Sequence, residues 1–127
     1  MPEHVKKVVL VDDDPDILEA IQAMLEDEGY SVVATDRGEE VEAISLSEQP
    51  DLIVLDMLLS GKDGREIARQ LKSQESTKHI PILMLSAHPR AAKEAQAFEV
   101  NDFLAKPFEM DDLLAKVAQY CECAQQT

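Results

Sequence analysis

Short apolar runs alternate with amphipathic stretches along the chain. The apolar runs, rich in β-branched residues, have the pattern of strands buried on both faces, and they cover residues 5–11, 31–35, 52–55, 82–85 and 103–105. The stretches between them predict helices that begin near residues 15, 38, 64, 90 and 110. Strands alternating with helices predict an α/β fold, in which right-handed crossovers place helices on both faces of a parallel sheet.

The sequence also marks where the first helix begins and ends. Asp14 is suited to the N-cap, and Pro15 fits the first turn because its fixed φ is helical. Gly29 is a glycine of the kind that ends helices. We therefore expect this helix to leave directly from the end of the first strand.

The length and composition fit one globular domain. With 127 residues, of which 45% are hydrophobic, the chain can bury a core without metals or disulfides. Its formal net charge is −14, from 26 acidic and 12 basic residues. Such a surface repels nucleic-acid backbones and anionic membranes. We expect neither nucleic acid nor membrane as a direct partner.

The chain shows no feature of an exported or membrane protein. No apolar run approaches the roughly 18 residues of a spanning helix, and we expect no signal peptide before the first strand. Cys121 and Cys123 are too close in sequence for a good disulfide, and two thiols make an incomplete zinc site. We expect a cytoplasmic protein with reduced thiols, Cys121 being partly packed.

Polar side chains stand directly after four of the five predicted strands. Along the chain these residues are Asp12 and Asp13, Asp56, Ser86 and Lys106. The carboxyl ends of parallel strands meet at one edge of the sheet, where ligands bind in such folds. Three carboxylates, one hydroxyl and one ammonium are therefore expected at a single rim.

The three carboxylates predict a cation site. Two carboxylates about 4 Å apart repel each other by about 4 kcal/mol at an effective dielectric constant of about 20. Oxygen ligands favour Mg²⁺ over zinc, with Mn²⁺ as an alternative ion. Lys106 and Ser86 complete a set that suits phosphoryl transfer to a carboxylate. We take Asp56 as the nucleophile, Asp13 as a direct metal ligand and Asp12 as a ligand that acts through water.

Each of these residues has an ordinary explanation when it is taken alone. An acidic turn such as residues 12–14 usually caps a helix, and a lysine such as Lys106 is usually solvated. Asp63 and Gly64 are explained by a tight turn and a helix start, and we assign them no further role. The joint placement at strand ends is what favours a functional site.

Five segments resemble the receiver domain of two-component response regulators, close to the stand-alone chemotaxis type. They are residues 9–15 (VLVDDDP), 51–56 (DLIVLD), 62–64 (KDG), 85–87 (LSA) and 101–108 (NDFLAKPF). Together, in this order, they are highly specific. The resemblance implies a doubly wound (βα)5 flavodoxin-like three-layer sandwich, with a five-stranded parallel sheet of strand order 2-1-3-4-5. We expect residues 1–127 to form a single receiver domain, with no output domain in this chain.

The resemblance also implies roles for the strand-end residues. Asp56 would accept a phosphoryl group from a phosphohistidine on a sensor histidine kinase or a histidine phosphotransfer protein. Mg²⁺ would be bound by Asp13, Asp56 and the backbone carbonyl of Leu58, with Asp12 in support. The protein would then be a signalling switch that takes part in its own phosphotransfer and dephosphorylation.

A conformational switch is implied as well. Ser86 would hydrogen-bond the phosphoryl group, and Lys106 would pair with it. Movement of Ser86 would let Phe103 turn inward and reshape the face formed by the predicted fourth helix, fifth strand and fifth helix. The Lys106–Pro107 peptide bond is expected to be cis. The downstream protein target is unknown, and the protein would be a monomer or a phosphorylation-dependent dimer.

The resemblance implies that two further residues, which flank the phosphorylation site, stand at positions that influence attack by water. Leu58 gives an attacking water no hydrogen bond, which favours a long-lived acyl phosphate. His88 would counter this effect by orienting water, whereas an exposed histidine without a role is the ordinary explanation. Both are modulating residues in this hypothesis.

Other classes of protein remain as alternatives. A haloacid-dehalogenase-like phosphatase also uses an aspartate nucleophile, magnesium and a lysine, but it carries another aspartate where this chain has Leu58. A flavodoxin-like cofactor binder would need a phosphate loop where this chain has three aspartates, at residues 12–14. A receiver-like interaction module that is not phosphorylated is the third, and the complete strand-end set argues against it.

Overall fold

The computed structural model describes residues 5–59, 62–86 and 100–125, and its centre is a five-stranded parallel sheet. The central strands are β1 (Lys7–Val11), β2 (Ser31–Thr35), β3 (Leu52–Asp56), β6 (Ile82–Ser86) and β7 (Asp102–Ala105). Their order across the sheet is β2-β1-β3-β6-β7. Counted along the chain, these are the first to fifth central strands, so the predicted order 2-1-3-4-5 is confirmed.

Four α-helices connect and cover the strands in the part of the chain that the structure describes. They are α1 (Pro15–Asp27), α2 (Val41–Glu48), α3 (Gly64–Lys72) and a last helix, Met110–Gln125. The helix predicted near residue 90 falls outside the described residues. None of the described helices is both long enough and apolar enough to cross a membrane.

Two apolar clusters on opposite faces of the sheet make the molecule three-layered. Alternate residues of each strand point to opposite faces, so Val9 belongs to one cluster and Leu10 to the other. The cluster with Val9 packs against α2 and α3, and the cluster with Leu10 packs against α1 and the last helix. Cys121, predicted to be partly packed, is fully buried in the second cluster. The three-layer architecture is therefore confirmed.

Two of the helices that begin at the carboxyl edge of the sheet start at aspartate N-caps. The Asp14 carboxylate accepts the backbone N–H groups of Asp16 at 3.0 Å and Ile17 at 3.4 Å, with Pro15 in the first turn as predicted. The Asp63 carboxylate accepts the N–H group of Arg65 at 2.9 Å. Both helices are thereby fixed at the ends nearest the strand-end residues.

The last strand and the last helix are joined through Asp102. One oxygen of this carboxylate accepts hydrogen bonds from Lys116 Nζ and from the Tyr120 hydroxyl, both at 3.0 Å. The other accepts the Phe103 N–H at 2.8 Å. Burial by itself would raise the pKa of Asp102, but these three donors outweigh it and hold the pKa below its usual range.

Three of the differences between the observed and the predicted elements have a physical explanation. The first strand begins at Lys7 instead of residue 5, because Val5 is exposed and its side chain faces no core. The segment expected to be a loop contains a short antiparallel ribbon, β4 (Leu58–Leu59) and β5 (Lys62–Asp63). The second helix opens with a 3₁₀ turn, Gly38–Glu40, before α2 begins. Strands of two residues are too short to leave a hydrophobic period in the sequence.

Candidate functional site

Three aspartates converge at the carboxyl edge of the sheet. Carboxylate oxygens of Asp12, Asp13 and Asp56 all lie within 4.8 Å of one another, and we call this group the acidic cleft. The convergence follows from the topology, because β1 and β3 are paired neighbours with Val11 in register with Leu55, so Asp12 and Asp56 follow at the same edge. Asp12 is fully buried and Asp56 is 6% exposed. The acidic cleft therefore holds two desolvated carboxylates that need a positive partner.

Lys106 supplies positive charge to the acidic cleft. Its Nζ atom lies 3.1 Å from Asp12 Oδ2 and 3.4 Å from Asp56 Oδ1. Partial burial would lower the pKa of Lys106, but attraction to Asp56 and the hydrogen bond to Asp12 outweigh it and raise that pKa above its ordinary value. The ammonium is thus charged at neutral pH. Three carboxylates and one ammonium leave a formal charge of two minus, which attracts a further cation.

Backbone hydrogen bonds tie the strand ends together beyond the regular sheet. Lys106 N donates to Ser86 O at 2.8 Å, and Met57 N donates to Leu85 O at 2.8 Å. Asp12 is held by its side chain too, because its Oδ1 accepts the Asp14 N–H at 2.9 Å. These bonds fix the backbone from which each functional side chain projects.

Ser86 ends β6 with its side chain in the interior. The residue is 1% exposed, and its hydroxyl donates to the sulfur of Met57 at 3.0 Å. Met57 directly follows Asp56, so this contact links the fourth central strand to the segment after the third. Ser86 was a predicted site residue and Met57 was not, since a methionine beside an apolar run predicts only core packing.

Gly64 has a role that the sequence analysis missed. Its N–H donates to Met57 O at 2.7 Å, which brings the start of α3 directly against the segment after β3. A Cβ atom at Gly64 would stand 2.2 Å from Asp56 O and 2.9 Å from Met57 Cα. The turn explanation given for Gly64 was therefore incomplete, because its lack of a side chain also permits this approach. The glycine after Asp63 was a visible signal, but the sequence does not show what approaches it.

The remaining predicted residues are placed as follows. Phe103 is half-buried and packs against the apolar cluster that also contains Met57. The Lys106–Pro107 peptide bond is cis, which confirms that prediction. Leu58 lies in β4 with its backbone paired to that of Asp63. His88 and its predicted effect on water lie outside the described residues.

An apolar groove adjoins the acidic cleft on the side of Lys106. It has a volume of about 460 Å³ and lies between the start of α1 and the loop after β7. Ile17, Pro107 and Phe108 are among the residues that line it. The surface beside the charged site is therefore apolar on this side.

The model of the response regulator receiver domain matches residues 8–118 of the chain. The chain belongs to this family. The receiver domain is 38% identical over 114 residues to the phosphate regulon transcriptional regulatory protein PhoB of Pseudomonas aeruginosa, a match that covers 88% of this chain and 50% of PhoB. It spans about half the length of the curated relatives that it matches.

Solved structures agree with this assignment. The chemotaxis response regulator CheY4 of Vibrio cholerae superposes on the receiver domain with a TM-score of 0.85 at 29% identity, covering 92% of this chain and 99% of CheY4. The receiver domain of the sensor histidine kinase PA1611 from Pseudomonas aeruginosa, solved with a magnesium ion in its active-site cleft, also gives 0.85, at 28% identity and with coverage of 94% and 99%. The domain is thus a signalling module of two-component systems, and neither a phosphatase nor an unphosphorylated interaction module is favoured.

Proposed function

We propose that this receiver domain accepts a phosphoryl group on Asp56 from a phosphohistidine of a sensor histidine kinase or a histidine phosphotransfer protein. One observation carries the proposal. The carboxylates of Asp12, Asp13 and Asp56 converge within 4.8 Å, and Lys106 Nζ lies 3.4 Å from Asp56 Oδ1. Asp56 is the acid that ends β3, the central strand of the sheet, which has β1 on one side and β6 on the other.

The chemistry needs little beyond positioning and charge. A carboxylate oxygen of Asp56 attacks phosphorus, an O–P bond forms, the P–N bond to the donor imidazole breaks and the imidazole leaves. The Lys106 ammonium lowers the energy of the charge on the phosphoryl oxygens, and the Ser86 hydroxyl donates a hydrogen bond to one of them. Attack of water on the same phosphorus would return Asp56 to its free carboxylate. The domain therefore takes part in both reactions while acting as a switch.

The acidic cleft fits Mg²⁺, because its side-chain donors are all carboxylate oxygens. Asp13, Asp56 and the backbone carbonyl of Leu58 would hold the ion, and Mn²⁺ suits the same donors. Asp12 would support it through water, since both of its oxygens already accept hydrogen bonds from Asp14 N and Lys106 Nζ. The ion supplies positive charge that offsets the repulsion between the carboxylates and the phosphoryl group. The PA1611 receiver domain, with its coordinated magnesium, supports this assignment.

The signal would leave through the face built by the predicted fourth helix, β7 and the last helix. Ser86 and Phe103 connect the acidic cleft to that face, since β6 and β7 are paired and Ser86 lies in register with Ala105. Movement of the Ser86 hydroxyl toward the phosphoryl group would let Phe103 turn further into the core. A downstream protein would read the changed surface.

Intact mass after incubation with a small phosphodonor and Mg²⁺ tests the proposal. We expect the parent chain to gain the mass of one phosphoryl group and Asp56→Asn to gain none. Asp36→Asn, which changes an exposed aspartate outside the acidic cleft, is the matched control and should be modified like the parent. A parent chain that gains no mass would overturn the proposal, as would equal modification of Asp56→Asn.

The lifetime of the phosphoryl group tests the modulating residues. We expect Leu58→Asn to shorten it, because an amide can orient the attacking water and a leucine cannot. Decay no faster than in the parent would show that Leu58 does not slow hydrolysis. His88→Ala measured in the same way reports on the second modulating residue.

Sedimentation with and without beryllofluoride distinguishes a monomer from a phosphorylation-dependent dimer.

A further inference from the structure

The hydrogen bond from Ser86 to Met57 joins two buried side chains next to the acidic cleft. Ser86 and Met57 are each 1% exposed, and the Ser86 Oγ and Met57 Sδ atoms lie 3.0 Å apart. A serine hydroxyl has a single proton to donate. While that proton points to the sulfur, it does not point to a phosphoryl oxygen on Asp56.

The sulfur is held in place by the backbone that carries it. Met57 N donates to Leu85 O at 2.8 Å, and Met57 O accepts the Gly64 N–H at 2.7 Å. The main chain of Met57 is thus pinned on one side to β6 and on the other to the start of α3. Its side chain lies in the apolar cluster against which Phe103 packs. Met57 therefore links the Ser86 hydroxyl, the apolar cluster and the start of α3.

The difference between two acceptors, the Met57 sulfur and a phosphoryl oxygen, suggests a role for the contact between Ser86 and Met57. A buried hydroxyl without an acceptor is costly, so Ser86 needs a partner before any phosphoryl group arrives. A thioether sulfur is a weak acceptor, whereas an anionic phosphoryl oxygen is a strong one. A weak partner satisfies the hydroxyl at rest and is readily displaced by the anion.

We infer that Met57 is a positioning residue for Ser86: its sulfur holds the hydroxyl in the unphosphorylated domain and gives it up when Asp56 carries a phosphoryl group. This inference rests on the function proposed above. Met57 would then affect how strongly the phosphorylated arrangement is favoured, since phosphorylation exchanges the O–H···S bond for an O–H···O bond. Removing the sulfur should therefore favour the phosphorylated arrangement.

The test is a double-mutant cycle read by binding of beryllofluoride, an analogue of the phosphoryl group, in the presence of Mg²⁺. Met57→Leu removes the sulfur and keeps the apolar volume. In the parent background we expect it to lower the beryllofluoride dissociation constant by about threefold to tenfold, the effect of one modest hydrogen bond. In a Ser86→Ala background the same change should have no effect, because the hydroxyl is absent. Titrations followed by 19F NMR measure all four constants.

Met84→Leu is the matched control, since Met84 is equally buried in the same cluster. It should leave the dissociation constant at the parent value in both backgrounds. Urea unfolding verifies that each variant folds, and Met57→Ile, which also lacks the sulfur, replaces Met57→Leu if packing fails. The inference is overturned if Met57→Leu acts equally in both backgrounds, or no more than Met84→Leu does.

The cycle also separates this inference from the proposed function. A parent chain that does not bind beryllofluoride, or that binds it equally after Asp56→Asn, overturns the phosphorylation proposal and the role of Met57 with it. A parent chain that binds through Asp56 but shows no coupling between positions 57 and 86 overturns the role of Met57 alone.

Discussion

Lys106 illustrates how one side chain determines the electrostatics of the site. Its ammonium lies within 3.4 Å of both buried aspartates of the acidic cleft and forms an ion pair with each of them. Attraction to them raises the pKa of Lys106 despite the opposing effect of burial. The stability contributed by this lysine must therefore depend on pH in a way that can be measured.

The sign of that dependence follows from the direction of the shift. Because the folded-state pKa lies above the ordinary value of 10.5, the contribution is fully present below about pH 10.5 and is lost as the pH rises through the folded-state value. We expect the parent to lose more stability than Lys106→Met as the pH rises above about 10.5, measured by urea unfolding. Lys78→Met, which removes an exposed lysine, should follow the parent. Equal losses in the parent and Lys106→Met would contradict this.

Gly64 gives a second prediction about a single residue. A methyl group there would stand 2.2 Å from Asp56 O, so Gly64→Ala should destabilise the fold by about 2 kcal/mol or more and weaken Mg²⁺ binding. Gly29→Ala is the matched control, because Gly29 has a positive φ of 98° but open space around it. Its cost should be about 1 kcal/mol, and Mg²⁺ binding should be unchanged. Urea unfolding compares them, and equal costs would show that the close approach relaxes.

At this scale the sequence predicted the residues of the acidic cleft but not their neighbours. Asp12, Asp13 and Asp56 were predictable because the ends of parallel strands must converge, whatever the side-chain detail. Gly64 and Met57 were not, because their roles depend on interatomic distances that no periodicity encodes. A glycine at a turn and a methionine in an apolar run have the same pattern in many folds.

At the scale of elements, the Asp102 carboxylate joins β7 to the last helix. Its pKa is lowered because the hydrogen bonds from Lys116, Phe103 N and Tyr120 outweigh the effect of burial. Its contribution to stability is therefore present above the ordinary value of 3.8 and is lost as the pH falls through the lower folded-state value. We expect Asp102→Asn to cost about 1 kcal/mol at neutral pH and progressively less in acid.

Urea midpoints at neutral and acid pH measure this difference. Asp27→Asn, at the exposed end of α1, is the control and should leave both midpoints near those of the parent. Tyr120→Phe removes one of the three donors and should give a smaller loss than Asp102→Asn. A cost for Asp102→Asn that is the same at both pH values would contradict the role of its charge.

The sequence predicted the long elements well and the short ones poorly. β1, β3 and β6 are buried on both faces, so their apolar runs were unmistakable, and α1 was bounded by Asp14 and Gly29. The ribbon of β4 and β5 was missed, because each strand has two residues and its pairing depends on how the chain turns after β3. A sequence pattern predicts an element only when the element is long enough for the pattern to repeat.

At the scale of the whole molecule, the net charge of −14 and the acidic cleft imply different effects of dissolved salts on the stability of the fold. Screening by any salt should stabilise a highly charged chain modestly. Mg²⁺ should stabilise it further by binding the folded state, by about 2.7 kcal/mol at a concentration of about 100 times the dissociation constant. We expect MgCl₂ to raise the urea midpoint more than NaCl of equal ionic strength.

Asp13→Asn separates the two effects. It should abolish the additional stabilisation by MgCl₂ and retain the response to NaCl, because it removes one ligand and leaves the surface charge almost unchanged. Equal effects of the two salts on the parent would argue against a specific cation site. The total charge can be counted from the residues, but only the fold shows that three of the acids meet at one point.

Lys106 and Asp12 are 94 residues apart in the chain, and this distance has a consequence for how the molecule is assembled. A chain that has formed only β1, β2 and β3 already contains the acids of the cleft but has no ammonium to balance them. The balancing charge arrives when β7 docks, as the last strand of the sheet along the chain. Closing a loop of this length costs chain entropy, which the contacts of the complete sheet must offset. A copy in which β7 has not docked therefore lacks the ion pairs of Lys106 that balance the acidic cleft.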